Sequence, residues 1–502
     1  MKKVIVSIIV LAATSLTVQA AKPRTSLVVK STQKQTVTGF GGACCDGAMK
    51  PFGTDNAPVS KLYGYRSKIG LNILRMEISP NLEDKADQWG DYDWNGSLPS
   101  AKIVKNRGGI VFGTPWSPPG VYKTNGTAQG GNAEDQGYQR GKLREDCYDQ
   151  FFPWLNSFLD WMKAHDVEID AVSIQNEPDW WVSYSGCLYD PQDLVKLVKN
   201  YGWMLDRETY PGVRLISGEP LGFTQNYTDP LMQDEECRKQ VDIVAGHLYG
   251  HAPLEYMKKA AVLPLKYGKE VWMTEHSVTD NTGKLPTWHE NLIFAEELNE
   301  CMLAGCSGYI YWYLRAHWAF VGTGESQYGA DNKRDELLPR AFVMSHFSKN
   351  VTGSTRLTTS RDKTSGEGDD FEYSAYIKGD SLIVMAIDTI ATARDLLIKL
   401  PYKVNSGTLW LSTGNESDKL CQKSEIEIPE PTEEVLVEMP ARSLSTFIFM
   451  IDRGGLAIED VAQKNNEGPK TYYDLRGRRM EAPHGLCIER SANGQSRKLV
   501  ME

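Results

Sequence analysis

Two short apolar runs in this chain each end in a carboxylate: Ser173-Ile174-Gln175-Asn176-Glu177-Pro178 and, further along, Trp272-Met273-Thr274-Glu275-His276. An unpaired charge is costly inside a β-run. A glutamate at the C-terminal end of such a run therefore reads as one that opens onto a loop, where an α/β barrel carries its chemistry. Two such carboxylates facing each other across a barrel mouth would form the acid/base and nucleophile pair that cleaves a glycosidic bond.

Positioning them requires a parallel sheet, and the sequence supplies one. Eight β-rich apolar runs alternate with helical stretches: Val37–Gly41, Leu71–Met76, Ile110–Gly113, Ile169–Gln175, Arg214–Ser217, Ile243–His247, Glu270–Thr274 and Gly308–Trp312. Between them, Tyr148 to Lys163 and Glu290 to Leu303 carry helical spacing, and Asp190-Pro191 starts a helix with proline at its first position. Eight repeats of this kind predict a closed (β/α)8 barrel. After His346 the pattern changes to short strands separated by turns: Phe371–Ile377, Ser381–Ile387, Leu396–Leu400, Gly407–Leu411, Glu433–Glu438 and Ser443–Met450. These predict a side antiparallel β-sandwich, which Ser26–Lys30 would join from ahead of the barrel.

The expected organisation is a signal peptide over 1–20, a strand joining the side β-domain over 21–35, the catalytic barrel over 36–345 and the sandwich over 346–452, followed by a linker over 453–469 and a small β extension over 470–502. Lys2 and Lys3, the apolar Val4 to Leu16 and the small-residue site Val18-Gln19-Ala20 read as a secretory signal cleaved near Ala20. The apolar run is too short and too interrupted by Ser and Thr for a membrane span. The product is expected to be secreted or periplasmic, with association at the cell surface left open.

A net charge of −10 excludes bulk phosphate neutralisation, and with it nucleic acid as partner. Nine cysteines without Cys-x-x-Cys spacing indicate neither a zinc site nor a disulfide scaffold; Cys147 and Cys187 are the one candidate pair. No cofactor and no metal are expected, and the chain is expected to act as a monomer. His165, His289 and His346 have no companions at ligand spacing, and His276 is expected only to shape the loop after Glu275.

The segments after the strands are rich in aromatic and polar groups. A Gly-rich turn, Gly41 to Gly47, follows the first, and Arg75, Glu77 and Ser79 cluster at the second. Thr114-Pro115-Trp116-Ser117-Pro118-Pro119 follows the third, Trp180 and Trp181 follow Glu177, Tyr249 follows His247, and Tyr311-Trp312-Tyr313 ends the eighth. Flat aromatic faces gathered at one end of a barrel fit the C–H faces of sugars.

With Gly246-His247-Leu248-Tyr249-Gly250 and the two glutamate segments, these motifs closely resemble glycoside hydrolase family 30, and most closely its bacterial (glucurono)xylanase branch, subfamily 8. The resemblance runs from Gly39 to the end of the sandwich near Asp452. It implies a barrel with a side β-sandwich, retaining hydrolysis and no metal. It further implies Glu177 as acid/base and Glu275 as nucleophile, with Asn176 contacting the sugar 2-hydroxyl. Repulsion and partial burial are expected to raise Glu177, while donors such as Arg75 and Tyr249 keep Glu275 charged. Trp116, Trp180, Tyr249, Trp312, Arg75, His247 and Arg315 join Asn176 as expected substrate-binding residues, although for Arg75 and His247 a structural role is also open. Glu77 is read as a structural neighbour.

One part of the resemblance fails. Relatives in this branch hold a glucuronate with an Arg and a Tyr after the eighth strand, and a Tyr and a Ser after the nucleophile. Here those positions read Ala316, Trp318, Ser277 and Asp280. A carboxylate repels a uronate, and alanine offers it no bidentate donor. The expectation is a secreted retaining endo-β-1,4-xylanase acting on a xylan-type polysaccharide, with weakened or lost glucuronate dependence. The alternatives are a family 30 hydrolase on β-1,6-glucan or β-1,6-galactan, an exo-xylosidase, and a non-catalytic carbohydrate-binding protein.

Overall fold

The structure, a computed structural model, describes residues 24–44, 57–80, 94, 97–131, 141–278, 285–314, 320–324, 333–362, 371–415, 419–453, 471–473, 479–480, 485–490 and 496–501. The signal-peptide reading, the linker, Arg315, Ala316, Trp318 and Asp280 lie outside these residues. No helix among the described residues is long and apolar enough to cross a membrane. The chain divides into two compact units, residues 1–451 and 452–502.

In the first unit, eight parallel strands close a barrel: β2 (Gly39–Cys44), β3 (Ile73–Ile78), β4 (Ile110–Pro115), β5 (Ala171–Ser173), β6 (Arg214–Ile216), β7 (Ile243–His247), β8 (Glu270–Glu275) and β9 (Gly308–Tyr311). Each coincides with one of the eight predicted runs. β2 pairs with β9 to complete the ring. Of the glycines expected in a turn, Gly41 and Gly42 lie inside β2 instead, and Gly47 falls outside the described residues. A Cβ on Gly41 would sit 1.8 Å from the Ile73 carbonyl oxygen, so the neighbouring backbone leaves room only for glycine.

Side chains alternate along each strand, and the inward set forms a plug rather than a pore. Ile73, Phe112, Ala171, Ile216, Ile243, Ala245, Trp272 and Ile310 make that plug, with Phe112 packed edge-on against Trp272 at 5.7 Å. Two steps further up the same strands, Arg75, Thr114 and His247 continue this inward face toward the C-terminal end.

The side domain combines β1 (Arg24–Thr36) with β10 (Thr355–Asp362), β11 (Phe371–Lys378), β12 (Ser381–Asp388), β13 (Arg394–Thr413), β14 (Gln422–Ile426), β15 (Thr432–Met439) and β16 (Ser443–Ile451). All of its pairings are antiparallel except β1 with β13. Leu27, Leu357, Val384, Leu396, Phe447 and Phe449 belong to its own core. Its other face shares the barrel's core through Tyr376, Ile383, Met385 and Leu444, which fixes the two together.

The sequence predicts two strands here, Leu396–Leu400 and Gly407–Leu411, with a turn between them, where the structure has one strand, β13, running through Pro401. The pairing register jumps between Lys399 and Val404, so the proline sits in a bulge where no ladder donor is needed. β10 and β14 were not read from the sequence at all; they are short and polar (TRLTTSRD and QKSEI) and carry little apolar signal.

The second unit holds a four-stranded antiparallel sheet, where the sequence suggested a hairpin. It comprises β17 (Thr471–Tyr473), β18 (Arg479–Met480), β19 (Gly485–Arg490) and β20 (Ser496–Met501), in the order β18-β17-β19-β20.

Candidate active site

Glu275 is the last residue of β8, and strict alternation would send it to the opposite side from Trp272 and Thr274. A bulge prevents this: Gly246 pairs with Met273, but His247 pairs with Glu275. The extra residue turns the Glu275 side chain into the barrel mouth beside His247. Glu177 arrives by a different route. It lies four residues past β5 with φ 44°, a left-handed conformation that a glutamate adopts at a cost. Its amide donates to the Glu219 carbonyl at 2.9 Å, and its own carbonyl accepts from the Trp180 amide at 3.0 Å.

The side chains converge into one buried cluster. Arg75 Nη1 donates to Glu275 Oε2 at 2.5 Å, and Nη2 donates to Asn176 Oδ1 at 2.7 Å. Tyr249 donates its hydroxyl to Glu275 Oε1 at 3.1 Å. His247 Nδ1 lies 3.1 Å from Glu177 Oε1, and its Nε2 lies 3.6 Å from Glu219 Oε2 and 3.9 Å from Glu275 Oε2. One ligating atom each from Glu177, His247 and Glu275 fall within 4.8 Å of one another. That spacing would also suit a metal ion, but a guanidinium already lies on Glu275 and the His247 ring is engaged with Glu177. The donor set is that of a hydrogen-bonded cluster whose cations come from the protein.

Burial alone would lower His247, but the Glu275 charge, the contact with Glu177 and the nearby Glu219 carboxylate outweigh it and raise the imidazole to about 9. Burial raises the Glu275 carboxyl above its ordinary range, against the pull of His247 and Arg75 and with the push of Glu177. The expectation that donors such as Arg75 and Tyr249 keep Glu275 charged is thus opposed by desolvation, which raises the carboxyl despite them.

The aromatic walls are also in place. Trp116 and Trp312 stack at 6.0 Å, and the Arg75 guanidinium lies 4.7 Å from the Trp116 ring. Trp180 stands at the rim with 52% of its surface exposed.

Comparison with known proteins agrees with this fold. Residues 148–302 match the family described as Glycosyl hydrolase catalytic core. Glucuronoxylanase XynC of Bacillus subtilis is 24% identical over 395 residues, covering 76% of this chain and 82% of the relative. Its counterpart from strain 168 is 26% identical over 365 residues, covering 71% and 75%. The glycoside hydrolase family 30 subfamily 8 xylanase Xyn30A of Clostridium acetobutylicum superposes with a TM-score of 0.67 at 28% identity, covering 85% of this chain and 99% of that one. The chain is thus similar, in fold and over most of its length, to glycoside hydrolases of family 30.

Of the residues singled out from sequence, the cluster brings together Glu177, Glu275, Asn176, Arg75, His247 and Tyr249, with Trp116 and Trp312 beside it. Trp180 lies at the rim, and Arg315 falls outside the described residues. His276 bonds Glu297 at 2.9 Å and packs edge-on against Tyr249 at 5.0 Å. His346 is a core residue between Thr446 and Ser412, pushed down to about 3 by burial. Cys147 and Cys187 are both free thiols.

The sequence reading missed Glu219. It lies three residues past β6, is fully buried, accepts a hydrogen bond from Thr114 Oγ1 at 2.8 Å and forms an ion pair with Arg75 Nη2 at 3.2 Å. The signal was the one already applied to Glu177 and Glu275, a carboxylate just beyond an apolar strand. Glu77, read from the sequence as a structural neighbour, stands on β3 in register with Thr114.

Proposed function

We propose that this protein is an exported, retaining endo-β-1,4-xylanase in which Glu177 is the acid/base and Glu275 the nucleophile. The observation that carries the reading is the approach of the two carboxyl groups, an oxygen of each lying within 4.8 Å of the other. Retention needs carboxyls about 5–5.5 Å apart, whereas inversion needs roughly 6.5–9.5 Å to admit a water. Glu177 carries the proton to the departing sugar oxygen as Glu275 Oε1 or Oε2 bonds to the anomeric carbon. Glu177 then takes a proton from the water that releases the glycosyl group.

Arg75 and Tyr249 hold Glu275 along the line of attack. Because Asn176 spends its Oδ1 on Arg75, its amide nitrogen is left to donate to the sugar 2-hydroxyl. Xylan as substrate is supported by the likeness to the subfamily 8 xylanase and the glucuronoxylanases. Ala316 and Asp280, standing where that branch holds a uronate, support relaxed glucuronate dependence. Export is supported by the N-terminal residues 1–20.

The test is hydrolysis of unsubstituted xylan, arabinoxylan, glucuronoxylan and β-1,6-glucan, with the first-formed product anomer read by proton NMR. We expect cleavage of all three xylans with the β-anomer appearing first. The α-anomer first would remove the retaining mechanism, a strict need for glucuronate would remove the relaxed specificity, and cleavage of β-1,6-glucan alone would reassign the linkage.

A further inference from the structure

The cluster holds one carboxylate more than the acid/base and nucleophile pair requires. Glu219 is fully buried and sits between the two cations of the site, with Oε2 3.2 Å from Arg75 Nη2 and 3.6 Å from His247 Nε2, and with Oε1 accepting from Thr114. Its backbone is fixed as well. The Glu219 amide donates to the Gln175 carbonyl at 2.9 Å, and its carbonyl accepts from the Glu177 amide at 2.9 Å.

We propose that Glu219 is a positioning residue, the permanent anion that keeps Arg75 and His247 as oriented cations around Glu177 and Glu275 and so leaves that pair a single shared proton. The proposal deepens the retaining hydrolase reading and rests on it.

The charge count of the buried site supports this. Three carboxyls, from Glu177, Glu219 and Glu275, face two cations, Arg75 and the His247 imidazolium. Buried charge without a counter-charge is expensive, so the cluster reaches neutrality when one carboxyl carries a proton. Burial pushes Glu219 up, but Arg75 and His247 outweigh that and hold it down at about 2, so Glu219 is not the carboxyl that is protonated. The proton is left to Glu177 and Glu275, which face each other with an oxygen of each within 4.8 Å. A retaining glycosidase needs this state before attack, with one acid and one nucleophile.

The other groups around His247 do not alter the count. Tyr249, edge-on to the ring at 6.1 Å, is pushed up by burial and the Glu275 charge and stays neutral. Asp179 accepts from the Leu221 amide at 2.8 Å, and burial raises its carboxyl.

Two measurements test the proposal. In the native protein labelled with 15N-histidine, the His247 imidazole should remain doubly protonated at pH 8, where a solvent histidine is neutral; its signal is assigned by its loss in His247→Asn. A neutral His247 at pH 8 would overturn the proposal, and this measurement does not depend on any Glu219 variant folding. In Glu219→Gln, which keeps the shape and removes the charge, the imidazolium should titrate about one pH unit or more lower. The basic limb of the kcat/KM profile should move in the same direction, and kcat should fall by about tenfold or more. A fall in kcat with both titrations unmoved would make Glu219 mere packing and overturn the proposal. Retained turnover in Glu275→Gln would instead overturn the retaining reading, while leaving the His247 titration as it is.

Discussion

Strand β8 begins at Glu270 and ends at Glu275, and the two glutamates show what one barrel does with the same side chain at its two ends. Each has an arginine, Arg214 at 2.8 Å for Glu270 and Arg75 at 2.5 Å for Glu275. At the N-terminal end, Glu270 Oε2 also accepts from Thr38, Ser307 and Trp272. Burial pushes that carboxyl up, but these hydrogen bonds and Arg214 outweigh it and hold it below the usual range. At the C-terminal end, Glu275 is more deeply buried and faces Glu177 and Glu219 as well as its donors, and desolvation wins. Neutral donors complete the first site, whereas competing carboxylates crowd the second. Chemistry needs the second arrangement, because carboxyls that face one another in a buried site can divide the roles of proton donor and nucleophile.

The widest separation between the two ends should be in activity. Glu275→Gln is expected to lower kcat on xylan by at least about a thousandfold, with the thermal midpoint held or raised, since the change relieves a crowded buried charge. Initial-rate kinetics and calorimetry on the same preparation check both halves. Turnover near the native rate would end the assignment of Glu275 as nucleophile.

Glu270→Gln should behave in the opposite way. Arg214 would lose its anion and three donors would lose half their partner, costing about 1–2 kcal/mol at pH 7 for a site partly open to water, with kcat within about twofold of native. The sign with pH follows from the depressed carboxyl. Its stabilisation is present above the unfolded value of about 4.3 and disappears as pH falls through the lower folded value. Urea unfolding of both proteins should therefore converge in acid, and a difference that persists at pH 2 would show that Glu270 acts through packing instead of charge.

The two ends were not equally legible in the sequence. Glu177 and Glu275 stood out because a charge that stops an apolar run is rare, and the eight strands were readable because buried parallel strands are nearly continuous apolar runs. Glu219 obeyed the same rule but followed a Ser217-Gly218 step that resembles an ordinary turn. The bulge that aims Glu275 inward left no trace at all, since it exists only in the register of β7 against β8. Glu270 was read simply as the start of a strand. Its partners Thr38, Arg214 and Ser307 come from three other strands or their approaches, and only closure of the barrel brings them together. The long β13 was hidden by Pro401 for a related reason, because a proline reads as a break until a bulge is seen to absorb it.

The smallest expected effect concerns what surrounds each carboxylate cluster. A cavity of about 720 Å³ opens beside Glu270, but Lys34, Gln35, Thr38, Leu265, Lys269 and Arg356 are among its lining residues and no aromatic ring is. The C-terminal end has Trp116 and Trp312 beside the carboxylates and Trp180 exposed at the rim. A sugar face gains from a flat apolar ring and little from a lysine-lined hollow, so the polysaccharide should be held at the aromatic end alone. Trp180 makes its backbone bond to Glu177 through the amide, which alanine also supplies. Trp180→Ala should therefore leave the thermal midpoint and kcat nearly native while KM for xylan rises about five- to tenfold, equivalent to about 1 kcal/mol of lost stacking. If kcat falls with KM unchanged, the ring supports the left-handed turn at Glu177 instead of the substrate. The rim would then belong to the positioning of the acid/base, and the functional difference between the two ends of the barrel would rest on the carboxylates alone.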